Sequence, residues 1–236
     1  MDFDWKFYIH FYNDLKDMNY EQALKHWNKH GKKENRVCNK LMIKQHYINE
    51  FQKIKVQYNM KLEDKKENKL NILMRTCYRP EYFRKAIDSI FKQDYKNYEI
   101  FVNYDKKECL EYLNDYPNIN IYFNEDSESK EFYKFNNYLN FLMNKVSDGY
   151  IMFLDDDDVY IHSKVFKLIN YFIQSEENLV VNKFLQPDKT IYPNDLKELK
   201  IGDIDTTCFC FHSKYKHIFQ WKKQKCGDYY FFKDLI

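Results

Sequence analysis

Apolar residues follow two different rhythms along the chain. In the first segment they recur at three- and four-residue steps: Trp5, Tyr8, Ile9, Tyr12 and Leu15, then, after a break at Asn19, Ala23, Leu24 and Trp27. That spacing lays an apolar stripe along a helix. Gly31, just after a run with Lys29 and His30, reads as its C-cap. A further helix is predicted from 41 to about 58. From residue 70 the rhythm changes to short apolar runs alternating with helical stretches. Strands are predicted over 70–74, 98–103, 119–123 and 150–154, with a break over 75–80 after the first. Pro80 opens a helix with apolar positions Tyr82, Phe83, Ala86, Ile87, Ile90 and Phe91. Residues 107–116 form a short helix, and Phe132, Phe135, Tyr138, Leu139, Leu142, Met143 and Val146 mark another. A helix over 163–174 and strands over 179–184 and 207–212 complete the pattern. Alternation of this kind predicts a mostly parallel, three-layer α/β sheet, with a small helical segment before it.

Composition narrows this picture. The chain has 236 residues, and 22 Tyr and 20 Phe supply bulky core material, which excludes disorder for most of it. With 38 Lys+Arg against 36 Asp+Glu there is no basic excess of the kind that nucleic-acid or membrane-surface binding calls for. Residues 1–70 hold 15 basic against 10 acidic side chains and the remainder 23 against 26; the charged stretch 61–69 between them reads as a linker. The division is thus 1–69, helical module and linker, and 70–236, α/β domain. No stretch reaches the ~20 apolar residues of a membrane span, and the acidic, aromatic start is unlike a signal peptide. Six cysteines without a C-x-x-C pair argue against zinc and against a disulfide framework, so reduced thiols in the cytoplasm are expected. Cys208 and Cys210 are expected on one strand face, in the core.

The chemistry concentrates at Asp155-Asp156-Asp157-Asp158, immediately after the apolar run Tyr150-Ile151-Met152-Phe153-Leu154. A run of aspartates is usually a solvated turn. Here it ends a strand buried on both faces, at the carboxyl end, where open α/β sheets bind ligands. Adjacent carboxylates repel one another unless a cation compensates, and hard oxygen donors suit Mg²⁺ or Mn²⁺. Neither a G-x-G-x-x-G nor a G-x-x-x-x-G-K-[ST] motif is present, so dinucleotide and P-loop sites are unsupported.

The segments "NILMRTCYRPEYFRKAIDSIFKQDYKNYEIFV" and "GYIMFLDDDDVYIHSKVF" resemble the nucleotide-binding half of family 2 glycosyltransferases, of the Rossmann-like GT-A fold, whose first strand ends in a pattern like "PTYNRPEYL" and a later one in a DxD motif. The first segment, with Tyr12-Asn13-Asp14-Leu15 and His26-Trp27 through Arg36, resembles helical modules beside glycosyltransferase domains in giant viruses and some bacteria. The resemblance places the DxD aspartates on Asp155 and Asp157. It implies Asp157 as direct metal ligand and Asp155 or Asp156 at the ribose or metal shell. Thr76, Cys77, Tyr78 and Arg79 fall in the loop that contacts the nucleotide base. Asp105 matches the carboxylate that reads the base, with Tyr104 where the family has a second aspartate. Lys134 is the candidate diphosphate contact. The family's "ED" pair, which opens a helix and supplies the general base, corresponds to Gly227 and Asp228, with Asp205 or Asp203 next in line as base. Arg75 stands where the family often has proline. His212 is a strand residue or an additional metal ligand.

The implied activity is metal-dependent, inverting transfer of a sugar from a nucleotide-diphosphate donor, a UDP-sugar, to a hydroxyl of a glycan or glycoprotein acceptor, with Mn²⁺ or Mg²⁺ as cofactor, in the cytoplasm (or virion, if viral). Two other classes stay open: a nucleotidyltransferase acting on sugar phosphates, and a non-catalytic sugar-nucleotide or glycan-binding module.

Overall fold

A computed structural model describes residues 3–34, 36–39, 42, 65–124, 135–185, 191–193 and 199–235. The chain forms two compact units, residues 1–61 with 185–191, and residues 62–184 with 192–236. The expected helix over 41–58 lies outside the described residues save for Met42, as does the start of the helix placed at Phe132.

In the first unit, α1 (Trp5–Phe11) is capped by Asp4, whose Oδ1 accepts the Phe7 N–H at 2.9 Å. Helix α2 (Tyr20–His26) opens with a capping box between Asn19 and Gln22. The chain then continues through a π turn, Trp27–Gly31. Gly31 is therefore the last helical residue and not the C-cap. Glycine is required there because a Cβ would collide with the Tyr8 hydroxyl and come within 2.7 Å of Trp27. Tyr8, Leu15, Ala23, Trp27 and Cys38 form a small core.

The second unit is built on a six-stranded sheet. Its parallel part comprises β1 (Leu70–Thr76), β2 (Tyr98–Tyr104), β3 (Asn120–Phe123) and β4 (Tyr150–Asp155). The short β5 (Val180–Val181) follows β4; outside this sheet, β6 (Phe184–Leu185) and β7 (Ile191–Tyr192) pair as a two-stranded ribbon. Last comes β8 (Phe209–His212), antiparallel to both β4 and β5. The spatial order is β3-β2-β1-β4-β8-β5.

Side chains alternate faces along each strand, and this alternation sorts the core into two layers. Ile72, Met74, Met152 and Leu154 pack with Phe83, Ile87 and Ile90 of α3 (Pro80–Phe91) and Phe166 and Ile169 of α6 (Val165–Phe172). Leu73, Ile151 and Phe153 pack on the opposite face with Leu139, Leu142 and Met143 of α5 (Phe135–Lys145) and Phe231 and Phe232 of α7 (Gly227–Leu235). The short α4 (Leu110–Leu113) follows a 3₁₀ turn, Lys107–Cys109. No helix among the described residues is long and apolar enough to cross a membrane.

Three expectations are corrected here. Arg75 and Thr76 belong to β1, not to the loop after it, because the β1–β2 ladder runs on to Thr76↔Tyr104. The strand expected over 179–184 is reduced to Val180–Val181, the length that β8 pairs. Cys208 and Cys210 do not share a strand face: Thr206–Cys208 is a 3₁₀ turn capped by Asp205, so Cys208 joins the α5/α7 core while Cys210 joins the other.

Strand order decides where a ligand can bind. From β1 the chain steps outward to β2 and β3, then returns to the far side of β1 as β4. The crevice beyond the carboxyl ends of β1 and β4 is thus the topological switch point, the place where open α/β sheets hold ligands. Arg75 and Asp155 are direct strand partners at that point.

Candidate functional site

A cavity of about 480 Å³ opens at the switch point, lined by Arg75, Thr76, Cys77, Arg79, Asp105, Phe135, Tyr138, Asp155 and Asp157. Its floor is set by the strand register. Because Arg75 and Asp155 are opposed across β1 and β4, the guanidinium meets the carboxylate edge to edge: Nε donates to Oδ1 at 2.7 Å and Nη2 to Oδ2 at 2.8 Å.

Asp156 turns to the opposite face and is fully buried. It accepts from Thr76 Oγ1 at 2.7 Å and from Nε and Nη2 of Arg79. The Thr76 hydroxyl has spent its proton on Asp156, so Tyr112, whose oxygen lies 2.8 Å away, donates to it in turn. Burial pushes Asp156 up, while Thr76 and Arg79 pull it down. Asp157 is exposed, and its Oδ2 accepts from Arg79 Nη1 at 2.9 Å. One arginine therefore clamps two consecutive carboxylates.

Asp105 follows β2 and is buried, and its Oδ1 has no hydrogen-bond partner among the described residues. It lies on the cavity wall beside Cys77, whose thiol is pushed up by burial and then by Asp105. Tyr104 is excluded from the site: it is a core residue, 5.3 Å ring to ring from Phe123. Tyr78 has a positive φ of 47° and is exposed; its hydroxyl donates to Glu111 at 3.1 Å and it does not line the cavity. Lys134 lies outside the described residues.

A second group of carboxylates gathers at the same rim. Asp228, at the start of α7, is half-buried, and its Oδ1 accepts the Tyr229 N–H at 2.8 Å. Burial raises its pKa, Arg75 lowers it and Asp155 raises it, so these charges sense one another. Asp205 is raised by burial and then by Asp155 and Asp228, against its hydrogen bond from Thr207 N–H. Asp158 is pushed up to about 8, first by burial and then by Asp205 and its own neighbours in the run. Asp203 instead closes a surface turn by accepting the Lys200 N–H at 2.8 Å. Gly227 stands where the resemblance expects glutamate, and a Cβ there would collide with Asn136, whose Nδ2 donates to Lys222 O at 2.7 Å. His212 ends β8 edge-on to Tyr150, at 4.9 Å, and is a strand residue.

Phe135, Tyr138 and the pairing of Arg75 are not singled out as site features by sequence. Asp158 has a signal, its place in the aspartate run. Tyr138 sits at helical spacing, which marks it only as core.

Among the described residues no three Asp, Glu, His or Cys side chains converge as a metal cage. The donor chemistry nevertheless fits a hard divalent cation shared with a diphosphate, because such ions are commonly held by one or two carboxylates and completed by phosphate oxygens. Asp157 is the better-presented ligand; Asp155 has committed one edge to Arg75.

The family model described as Glycosyl transferase family 2 matches residues 71–232. No curated protein matches the chain. Among solved structures, S. aureus TarS 1-349 is 16% identical with a TM-score of 0.56, over 71% of this chain and 55% of that one. The same fragment in complex with UDP-GlcNAc aligns at 16% identity and TM-score 0.55, over 71% and 53%. The mannosyltransferase PcManGT from Pyrobaculum calidifontis, in complex with GDP-Man and Mn²⁺, aligns at 12% identity and TM-score 0.53, over 72% and 52%. These likenesses carry the GT-A fold; the chain spans about half the length of the proteins it aligns with.

Proposed function

The chain belongs to glycosyl transferase family 2, and from that premise we propose that it moves a sugar from a nucleotide-diphosphate donor, UDP-linked, to a hydroxyl of a glycan or glycoprotein, inverting the anomeric centre. The observation that carries this reading is the switch-point cavity, whose lining includes Asp105, with a buried Oδ1 that has no partner among the described residues, and Asp157, an exposed carboxylate. A buried acceptor without a partner is costly unless a ligand N–H satisfies it, and a pyrimidine imide is such a donor. Thr76, Cys77 and Arg79 complete that wall, with Thr76 and Arg79 fixing Asp156.

Asp157, with Asp155, would hold Mn²⁺ or Mg²⁺. When bound, the cation neutralises charge on the departing diphosphate. The two arginines keep the adjacent carboxylates from repelling one another before any ligand arrives. Asp228 is the proposed general base. It is close enough to the cluster for Arg75 and Asp155 to shift its pKa, so an acceptor hydroxyl placed there can lose its proton to Asp228 as the oxygen attacks the sugar. Burial raises the affinity of this carboxylate for that proton, which strengthens it as a base, while Arg75 favours the ionised form that must be present beforehand. Attack on the face opposite the diphosphate in one displacement needs no covalent intermediate. Every proposed site residue lies within 70–236, and the proposal assigns the chemistry to that segment.

The test is a panel of UDP-, GDP- and other nucleotide sugars, scored by thermal shift with Mn²⁺ and followed by nucleotide-release assays. Ligand stabilisation grows with concentration over Kd, so weak donors register at millimolar levels. We expect one nucleotide class to stabilise the protein and to be hydrolysed or transferred. Absence of any shift or release across the panel would overturn the proposal.

A further inference from the structure

The chain has only four arginines against 34 lysines, and two of the four stand on the cavity wall. Their donors are spent differently. Arg79 uses all three nitrogens on carboxylates: Nε and Nη2 on Asp156, and Nη1 on Asp157. Arg75 uses only Nε and Nη2, both on Asp155, and its Nη1 has no partner among the described residues. A guanidinium gripped along one edge by a carboxylate cannot swing, and its remaining N–H groups point in a fixed direction. Arg75 is three-quarters buried at its side chain, yet it reaches the cavity. It is a pre-aimed cation with an unused edge. An ion pair made only to neutralise Asp155 could have been made by a lysine, the commoner cation here; the fork is what fixes the direction of the free edge.

We infer that Arg75 is a donor-binding residue whose Nη1 edge holds an oxygen of the diphosphate, with Asp155 as the group that aims it. The inference deepens the nucleotide-sugar reading and rests on it. Orienting the guanidinium beforehand lowers the ordering cost of binding. The charge is also needed there: Asp155, Asp156 and Asp157 outnumber the two guanidiniums, so an incoming diphosphate meets net negative charge unless a cationic edge is turned toward it. The position also sets this chain apart from the family pattern, in which proline often precedes the loop.

The test compares uridine with UDP, and guanosine with GDP, by calorimetry in EDTA, so that no divalent cation contributes. The wild-type protein should bind the diphosphate of its nucleotide more tightly than the nucleoside. In Arg75→Met, diphosphate affinity should fall about 10- to 100-fold with nucleoside affinity unchanged, as loss of a charge-assisted hydrogen bond implies; Arg75→Lys should recover only part of it. Arg75→Met leaves Asp155 without its partner, so the doubly neutral Arg75→Met/Asp155→Asn serves as a second variant and should lose the same discrimination. Equal losses for nucleoside and diphosphate would make Arg75 a structural residue and overturn the inference, as would wild-type diphosphate binding in either variant. A loss confined to UDP-glucuronic acid, with UDP unaffected, would move Arg75 to a sugar carboxylate and likewise overturn it. A wild-type protein that binds no diphosphate better than its nucleoside in EDTA would overturn this inference alone; the same result in the presence of Mn²⁺ would overturn the donor reading itself.

Discussion

Two sets of aspartates share one rim of the sheet, and they live under opposite conditions. Asp155, Asp156 and Asp157 each face a guanidinium. Asp158, Asp205 and Asp228 form no ion pair with a guanidinium among the described residues: Asp205 and Asp228 accept backbone N–H groups, Arg75 acts on Asp228 only through its field, and the charges that raise Asp158 belong to neighbouring carboxylates. Burial raises both Asp156 and Asp158, but Thr76 and Arg79 pull Asp156 back, whereas the neighbouring carboxylates push Asp158 further, to about 8. One residue type thus sits in two settings: carboxylates paired with arginine, and carboxylates that burial and neighbouring carboxylates push toward the protonated form. Direct pairing with arginine, which sequence does not display, separates them.

The sharpest way to break this comparison is at Asp228. Asp228→Asn keeps the shape but cannot take a proton, so transfer should drop about 10²- to 10⁴-fold, with nucleotide and metal binding near normal. Calorimetry beside a transfer assay reads both, and transfer within a few-fold of wild type would move the base to Asp205, the neighbour that shares its electrostatics.

Asp157→Ala should act on the other set. The Mn²⁺-dependent part of UDP affinity should vanish while circular dichroism and thermal unfolding stay native; a folded variant with unchanged metal-enhanced binding would remove Asp157 as ligand.

Asp156→Ala tests whether the buried member is chiefly structural. It strips three donors of their acceptor at a fully buried position. It should cost about 2–3 kcal/mol, seen as a fall of roughly 5–10 °C in Tm. A Tm within 1–2 °C (about half a kcal/mol) would show that Arg79 and Thr76 find other partners.

The smallest effect sharpens the second set. A carboxyl raised to about 8 when folded binds a proton that the unfolded chain releases near 4. Its contribution to stability is complete below about pH 4 and is lost as pH rises through about 8. In the presence of EDTA, Asp158→Asn should therefore flatten the decline in Tm between pH 5 and 8.5 relative to wild type. Parallel pH profiles for the two proteins would count against a protonated Asp158.

Much of this arrangement is legible in the order of residues. The apolar run 150–154 marks a strand buried on both faces, and the aspartates after it have to lie at its carboxyl end, whatever packs around them. The helix from Pro80 and the two-layer core follow from spacing in the same way. What spacing misses is whatever depends on a partner far away in the chain. Gly31 reads as a cap because glycine commonly ends helices, but it is there because Tyr8 and Trp27 leave no room for a Cβ. Cys208 and Cys210 read as strand neighbours, yet the Asp205 cap winds the first of them into a turn.

The sequence alone determined the periodicities, and through them the strands, the helices and the strand end where the chemistry gathers, since these depend on residues a few positions apart. Only the tertiary structure decided which carboxylates pair with arginine and which are left among other carboxylates. That depends on Arg75 meeting Asp155 across 80 residues and Arg79 meeting Asp156 across 77, and on how much water remains around Asp158, Asp205 and Asp228. Register and burial set those quantities, and neither exists until the strands are laid side by side.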